Sequence, residues 1–161
     1  MKVREAMTAP ALTCTPKTSL AVAARLMQEA DYGTLPVVDS RGHLVGIITD
    51  RDICLAVAGS NRNAINIAVH EAMTHKVFSA LLDDDVHGAL ATMKGARVRR
   101  LPVCDESGHL EGIVSIEDLV VRGLQGGGIN TDELVAALRA MYVRAPVVAN
   151  STPPESGFTP G

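Results

Sequence analysis

The chain repeats itself. Glu5-Ala6-Met7-Thr8 returns as Glu71-Ala72-Met73-Thr74, Leu35-Pro36-Val37 as Leu101-Pro102-Val103, Gly42-His43-Leu44 as Gly108-His109-Leu110, and Gly46-Ile47 as Gly112-Ile113. Every partner lies 66 positions on, so Asp52 answers to Asp118 and no insertion separates the copies. About a third of the positions from 5 to 52 are identical to their partners. A register kept over that length means one supersecondary unit used twice.

Each copy reads as strand, helix, strand, strand, helix. Residues 11–14 and 77–80 are short apolar runs suited to strands. Ser19 and Asp85 stand where helix N-caps belong. The helices that follow carry Leu20, Ala24 and Met27 on one face in the first copy, and Val86, Leu90 and Met93 in the second. Gly33 and Gly95 are expected to end these helices or the loops after them. Residues 35–39 and 44–49 flank a polar turn with Gly42, the pattern of a β-hairpin, and 101–105 with 110–115 repeat it. Pro36 and Pro102 are expected at strand starts, where a missing N–H is tolerated. Second helices follow, ending near Gly59 and Gly123.

One such unit is too small to cover both faces of its own sheet. The expected fold is therefore α/β, with two β-α-β-β-α units packed sheet to sheet about a pseudo-twofold axis. Residues 1–60 form the first unit, 61–70 a connector and 71–124 the second. Residues 125–161 provide a glycine linker, a short helix with Leu134, Leu138 and Met141 on one face, and a tail from Asn150 whose Pro/Ser/Gly content predicts disorder. A cleft between the units is where a small molecule is expected to bind.

Composition excludes several classes. Net charge is −3 and pI about 5.9, so the basic footprint of a nucleic-acid binder is missing. Aromatic residues are 2%, too sparse to stack a single strand. No apolar run approaches the roughly 18 residues of a membrane span, and the start shows no signal-peptide pattern. Cys14, Cys54 and Cys104 lie singly in apolar runs and read as reduced core thiols of a cytoplasmic protein.

The chemistry concentrates at two repeat-equivalent helix starts. Thr49-Asp50-Arg51-Asp52 follows Gly46-Ile47-Ile48, and Ser115-Ile116-Glu117-Asp118 follows Gly112-Ile113-Val114. A hydroxyl there is an N-cap, and an Asp three residues later opposes the helix dipole. The same pattern also suits a nucleoside phosphate. Helix N–H groups and the hydroxyl favour phosphate, and the carboxylate can accept both ribose hydroxyls. His43 and His109 read as exposed turn polarity, and Asp83-Asp84-Asp85 as a helix-start cluster. His70 and His75 lack zinc spacing. No nucleophile elbow or phosphate loop is present, so no catalytic residue, cofactor or metal site is expected.

These segments, with the Leu-Pro-Val runs and the Glu-Ala-Met-Thr leads, resemble the signature of the cystathionine-β-synthase-type (CBS) domain over about residues 1–124. The resemblance implies a tandem pair, or Bateman module. Such pairs bind AMP, ADP, ATP, NAD or S-adenosylmethionine and regulate an attached or partner protein. It implies that Asp52 and Asp118 hold ribose, with Thr49 and Ser115 near ribose and phosphate. Arg99 and Arg100 match a phosphate-binding position that is Gly33-Thr34 in the first copy. Tyr32, Gly33 and Val98 fall on the adenine pocket. Crossing of the cleft would set Thr49, Arg51 and Asp52 against Arg99 and Arg100, and Ser115, Glu117 and Asp118 against Gly33 and Thr34. The second copy departs from the pattern at residues 80–83. The implied function is a stand-alone sensor of an adenosine-containing ligand, homodimeric, acting on a regulated protein. The alternative is a protein-interaction module with vestigial sites, working through the helix at 131–143.

Overall fold

The computed structural model describes residues 1–143. The elements run α1 (Val3–Ala6), α2 (Leu20–Ala30), β1 (Thr34–Val38), β2 (Leu44–Thr49), α3 (Asp50–Gly59), β3 (Ala80–Leu81), α4 (Val86–Ala96), β4 (Arg100–Cys104), β5 (Leu110–Ser115), α5 (Ile116–Asp118) and α6 (Thr131–Tyr142). A π-helical turn, Leu119–Gly123, continues α5 where a regular helix was expected. The expectation for the tail from Asn150 lies outside the described residues.

Both copies form the expected antiparallel hairpin, β1 with β2 and β4 with β5, in matching register. Gly42 and Gly108 take φ of 82° and 86° in the turns, which a side chain would oppose. Asp39 and Asp105 brace those turns. The Oδ1 of Asp39 accepts the N–H groups of Arg41 and His43, and that of Asp105 those of Ser107 and His109. These bonds pull the Asp39 carboxyl below its ordinary pKa; at Asp105 the Ser107 hydroxyl leads the same effect. The leading strands differ. Ala80–Leu81 pairs in parallel with β4, whereas the first copy offers only a bridge from Cys14 to Val37.

Four local expectations are corrected. Pro36 and Pro102 sit mid-strand, opposite Ile47 and Ile113. They are tolerated because Ile47 and Ile113 turn their polar groups to the other side, bonding Thr74 and Thr8, so the ladder asks for no proline N–H. The first helices end on Asp31 and Arg97 in the left-handed conformation, at φ 56° and 55°, and Gly95 lies inside α4. Ala23 rather than Ala24 is buried on α2. Cys54 is exposed on α3, while Cys14 and Cys104 are buried.

Two cores result, and they cut across the sequence repeat. One gathers Leu20, Leu35, Val37 and Ile48 with Ile67 and Val69 from the connector. The other gathers Leu90, Leu101, Val103 and Val114 with Leu134 of α6 and with Val3 and Ala6 from the opening of the chain. Burying each large aliphatic side chain stabilises by about 1.5–3 kcal/mol. The Glu-Ala-Met-Thr leads are thus exchanged. Thr8 pairs with Ile113 of the second hairpin, and Thr74 with Ile47 of the first. The motif has a physical reason. Any Cβ on Gly46 would come within 2.8 Å of Met73 Sδ, and one on Gly112 within 2.8 Å of Met7 Sδ, so each methionine lies across a bare glycine.

The hairpin turns close the pseudo-twofold contact. Leu44 N–H bonds Gly108 O, Leu110 N–H bonds Gly42 O, and the His43 and His109 rings meet edge to face with centroids 6.2 Å apart. The two histidines are half-buried partners across the axis rather than exposed turn residues.

Candidate functional site

Thr49 ends β2 in extended conformation and caps α3. Its Oγ accepts the Asp52 N–H at 3.2 Å. In return its own N–H and hydroxyl donate to Asp52 Oδ2 at 2.9 and 2.7 Å. Ser115 and Asp118 repeat this: the Asp118 N–H donates to Ser115 Oγ at 3.0 Å, and the Ser115 N–H and hydroxyl donate to Asp118 Oδ2 at 2.9 and 2.6 Å. The capping role is therefore real, and it spends the hydroxyl proton that the sequence suggested for a phosphate. The N–H groups at the start of α3 are also engaged: Asp50 donates to Gly33 O and Arg51 to Asp50 Oδ1. Asp52 Oδ1 accepts no hydrogen bond among the described residues.

That free oxygen belongs to a residue lining a cavity of about 410 Å³ between the units, within the range of small-molecule sites. The first copy supplies Thr34, Thr49 and Asp52, and the second Val98, Arg99 and Arg100. Lys76 and Phe78 also line it; the sequence reading missed both. The repeat register held a signal for Phe78, whose partner Leu12 lines the second cavity.

The second cavity, about 270 Å³, joins Ser115, Glu117 and Asp118 to Tyr32 and Thr34 of the first copy. Arg100 lines it as well, with Nη2 3.6 Å from Glu117 Oε1. The expected division, with Arg100 set against the Asp52 side and Gly33 and Thr34 against the Asp118 side, is thereby corrected: the long Arg100 side chain lines both cavities. Gly33 and Arg51 line neither. They border an open groove of about 620 Å³ with Arg97, Arg99, Arg100 and Tyr142. There the Arg99 guanidinium donates to Tyr142 Oη at 3.4 Å. Among the described residues, no three His, Cys, Asp or Glu side chains are grouped to hold a metal ion, and no helix is long and apolar enough to cross a membrane.

Paired hairpin units, exchanged leading segments and twin capped carboxylates lining inter-unit cavities define a tandem-repeat module with two related cavities. The chain belongs to the CBS domain family, whose model matches residues 3–59 and 69–123. An uncharacterised 17.7 kDa protein of Acidianus ambivalens is 41% identical over 118 residues, covering 73% of this chain and 70% of that protein. Among solved structures, the CBS domain pair of protein MJ0100, in complex with 5′-methylthioadenosine and S-adenosyl-L-methionine, is 31% identical with a TM-score of 0.68, covering 80% of this chain and 98% of that one. CBSX2 in complex with AMP is 28% identical with a TM-score of 0.68, covering 78% and 98%.

Proposed function

We propose that this chain is a stand-alone, non-catalytic sensor that binds an adenosine-containing ligand in its inter-unit clefts and regulates a protein partner. The observation that carries the reading is Asp52. One carboxylate oxygen fixes the helix start, the other accepts no hydrogen bond among the described residues, and Asp52 lines a cavity together with Arg99 and Arg100. A carboxylate accepting ribose hydroxyls and arginines gripping phosphate complement a nucleotide. Similar CBS domain pairs solved with AMP and with adenosyl sulfur compounds support that ligand class.

The ligand bridges both units, so it acts by favouring one relative pose of them. The three free thiols suit a reducing compartment such as the cytoplasm. Exposed Leu55 on α3 and Val121 on the π-helical turn supply an apolar face for a homodimer. Native mass spectrometry of freshly purified protein, with identification of co-purifying small molecules, tests the reading. An adenosyl compound at stoichiometric level supports it. Protein that carries no such compound and binds none when offered AMP, ATP or S-adenosylmethionine favours the interaction module acting through α6, whose Val135 is exposed.

A further inference from the structure

The two site carboxylates have different neighbours. Asp118 Oδ1 accepts the Thr8 hydroxyl at 3.3 Å and faces Arg122 Nη1 at 3.5 Å. The same Nη1 donates to Ala6 O at 2.7 Å and Met7 O at 2.6 Å. Arg122 therefore ties the exchanged opening segment to the site carboxylate, whose side chain is only 17% exposed. The repeat register puts Ala56 at the matching place in the first copy. The hydroxyl of Thr74, the counterpart of Thr8, makes no bond to Asp52 among the described residues.

We infer that Arg122 is a specificity-determining latch that keeps ribose hydroxyls off Asp118, so that the chain binds ribosyl ligands preferentially at Asp52. The inference rests on the adenosine reading of the clefts and adds a distinction between them. An ionised carboxylate has about two acceptor positions on each oxygen. At Asp118 the cap occupies Oδ2, while Oδ1 accepts the Thr8 hydroxyl and has the Arg122 guanidinium 3.5 Å away as an ion-pair partner. A ribose diol brings two donors to a carboxylate on which Thr8 already holds one acceptor position of Oδ1 and whose charge the nearby guanidinium already compensates, so Asp118 is the weaker acceptor. The guanidinium does not simply swing away, because the carbonyls of Ala6 and Met7 hold it. Among the described residues, no cation pairs with Asp52 in this way.

The test is calorimetric titration of AMP and of adenosine into the full chain, as wild type, Arg122→Ala and Arg122→Gln. The glutamine variant keeps an amide donor for the Ala6 and Met7 carbonyls, and it reads the effect if the alanine variant fails to fold. Wild type is expected to take one ribosyl ligand per chain at the tighter affinity. Each folded variant is expected to gain at least tenfold at the second site, with the first unchanged. A gain of binding is not what loss of a structural clamp produces. Two equal sites in wild type, or no gain in either folded variant, overturn the latch and leave the adenosine reading standing. No binding of either ligand to any of the proteins overturns both.

Discussion

Arg100 spans the pseudo-twofold axis, lining the cavity of Asp52 while its Nη2 stands 3.6 Å from Glu117 Oε1 in the cavity of Asp118. A phosphate at the Asp52 site must draw Arg100 away from Glu117 or share it. Arg100→Ala should therefore weaken ATP by roughly tenfold to a hundredfold, the equivalent of about 1.5–3 kcal/mol for a charged hydrogen bond. Adenosine, which has no phosphate, should lose far less. Glu117→Gln should raise ATP affinity a few-fold by releasing the guanidinium. Equal losses for ATP and adenosine in Arg100→Ala would remove the phosphate role.

The exchanged opening segment gives a local prediction. Val3 and Ala6 are fully buried in the second core, and Ile113 N–H bonds Thr8 O. Removing residues 1–8 should leave a cavity there, on the scale of about 2–5 kcal/mol for a lost large aliphatic side chain. Hydrogen exchange should quicken at Ile113 and through β5. The matching amide of Ile47, paired with Thr74, should keep its protection. Equal loosening of both hairpins would contradict the exchange.

Acid stability has a named contributor where the connector meets the second unit. Arg62 donates to Glu71 Oε2 at 2.6 Å, and Ala68 N–H to its Oε1 at 2.9 Å. These contacts, the Arg62 bond foremost, lower the Glu71 pKa from 4.5 to about 2. Because the folded-state pKa lies below the unfolded one, the contribution is complete above about pH 4.5 and is lost as pH falls toward 2. Glu71→Gln should flatten the fall in melting temperature across that window and change little at pH 7 in its slope. An unaltered acid profile would show that Glu71 stays unpaired in solution.

Cysteine reactivity reads both burial and assembly. Cys14 is buried and its thiol is pushed up to about 11 by desolvation, and burial also raises Cys104. Cys54 is exposed on α3, beside Leu55, which is 59% exposed. A thiol-specific reagent should modify one cysteine quickly and two only on unfolding. If the α3 face closes a homodimer, Cys54 should become slow at micromolar protein and fast on dilution to monomer. Light scattering that gives a monomer at every concentration would discard the dimer.

Much of this was legible because it is local. Ser19, Asp85, Thr49 and Ser115 announce helix starts within four residues, and each does cap its helix. The hairpins follow from apolar runs around Gly42 and Gly108. The exchange of leads was not legible. Met7 and Met73 suit Gly46 and Gly112 equally, and only the path of the chain decides which pair meets. Cys54 was misread because an apolar run was taken as buried throughout. The helical turn of about 100° per residue faces Ile53 inward and its neighbour outward. Arg122 escaped notice because its partners, Ala6 and Met7, lie more than a hundred residues away. Arg100 was assigned to a single cleft because residue spacing does not reveal how far a long side chain reaches.

The central claim is that Asp52 holds the ribose of an adenosine-containing ligand. Titration of AMP into wild type and Asp52→Ala, with melting temperatures measured in parallel, tests it most directly. Loss of the charged acceptor should weaken binding by roughly tenfold to a hundredfold. Loss of the cap contact should cost only about 1 kcal/mol of stability, so the fold survives at 25 °C. An affinity for AMP unchanged in Asp52→Ala, with only the melting temperature lowered, would contradict the account and leave Asp52 as a helix cap.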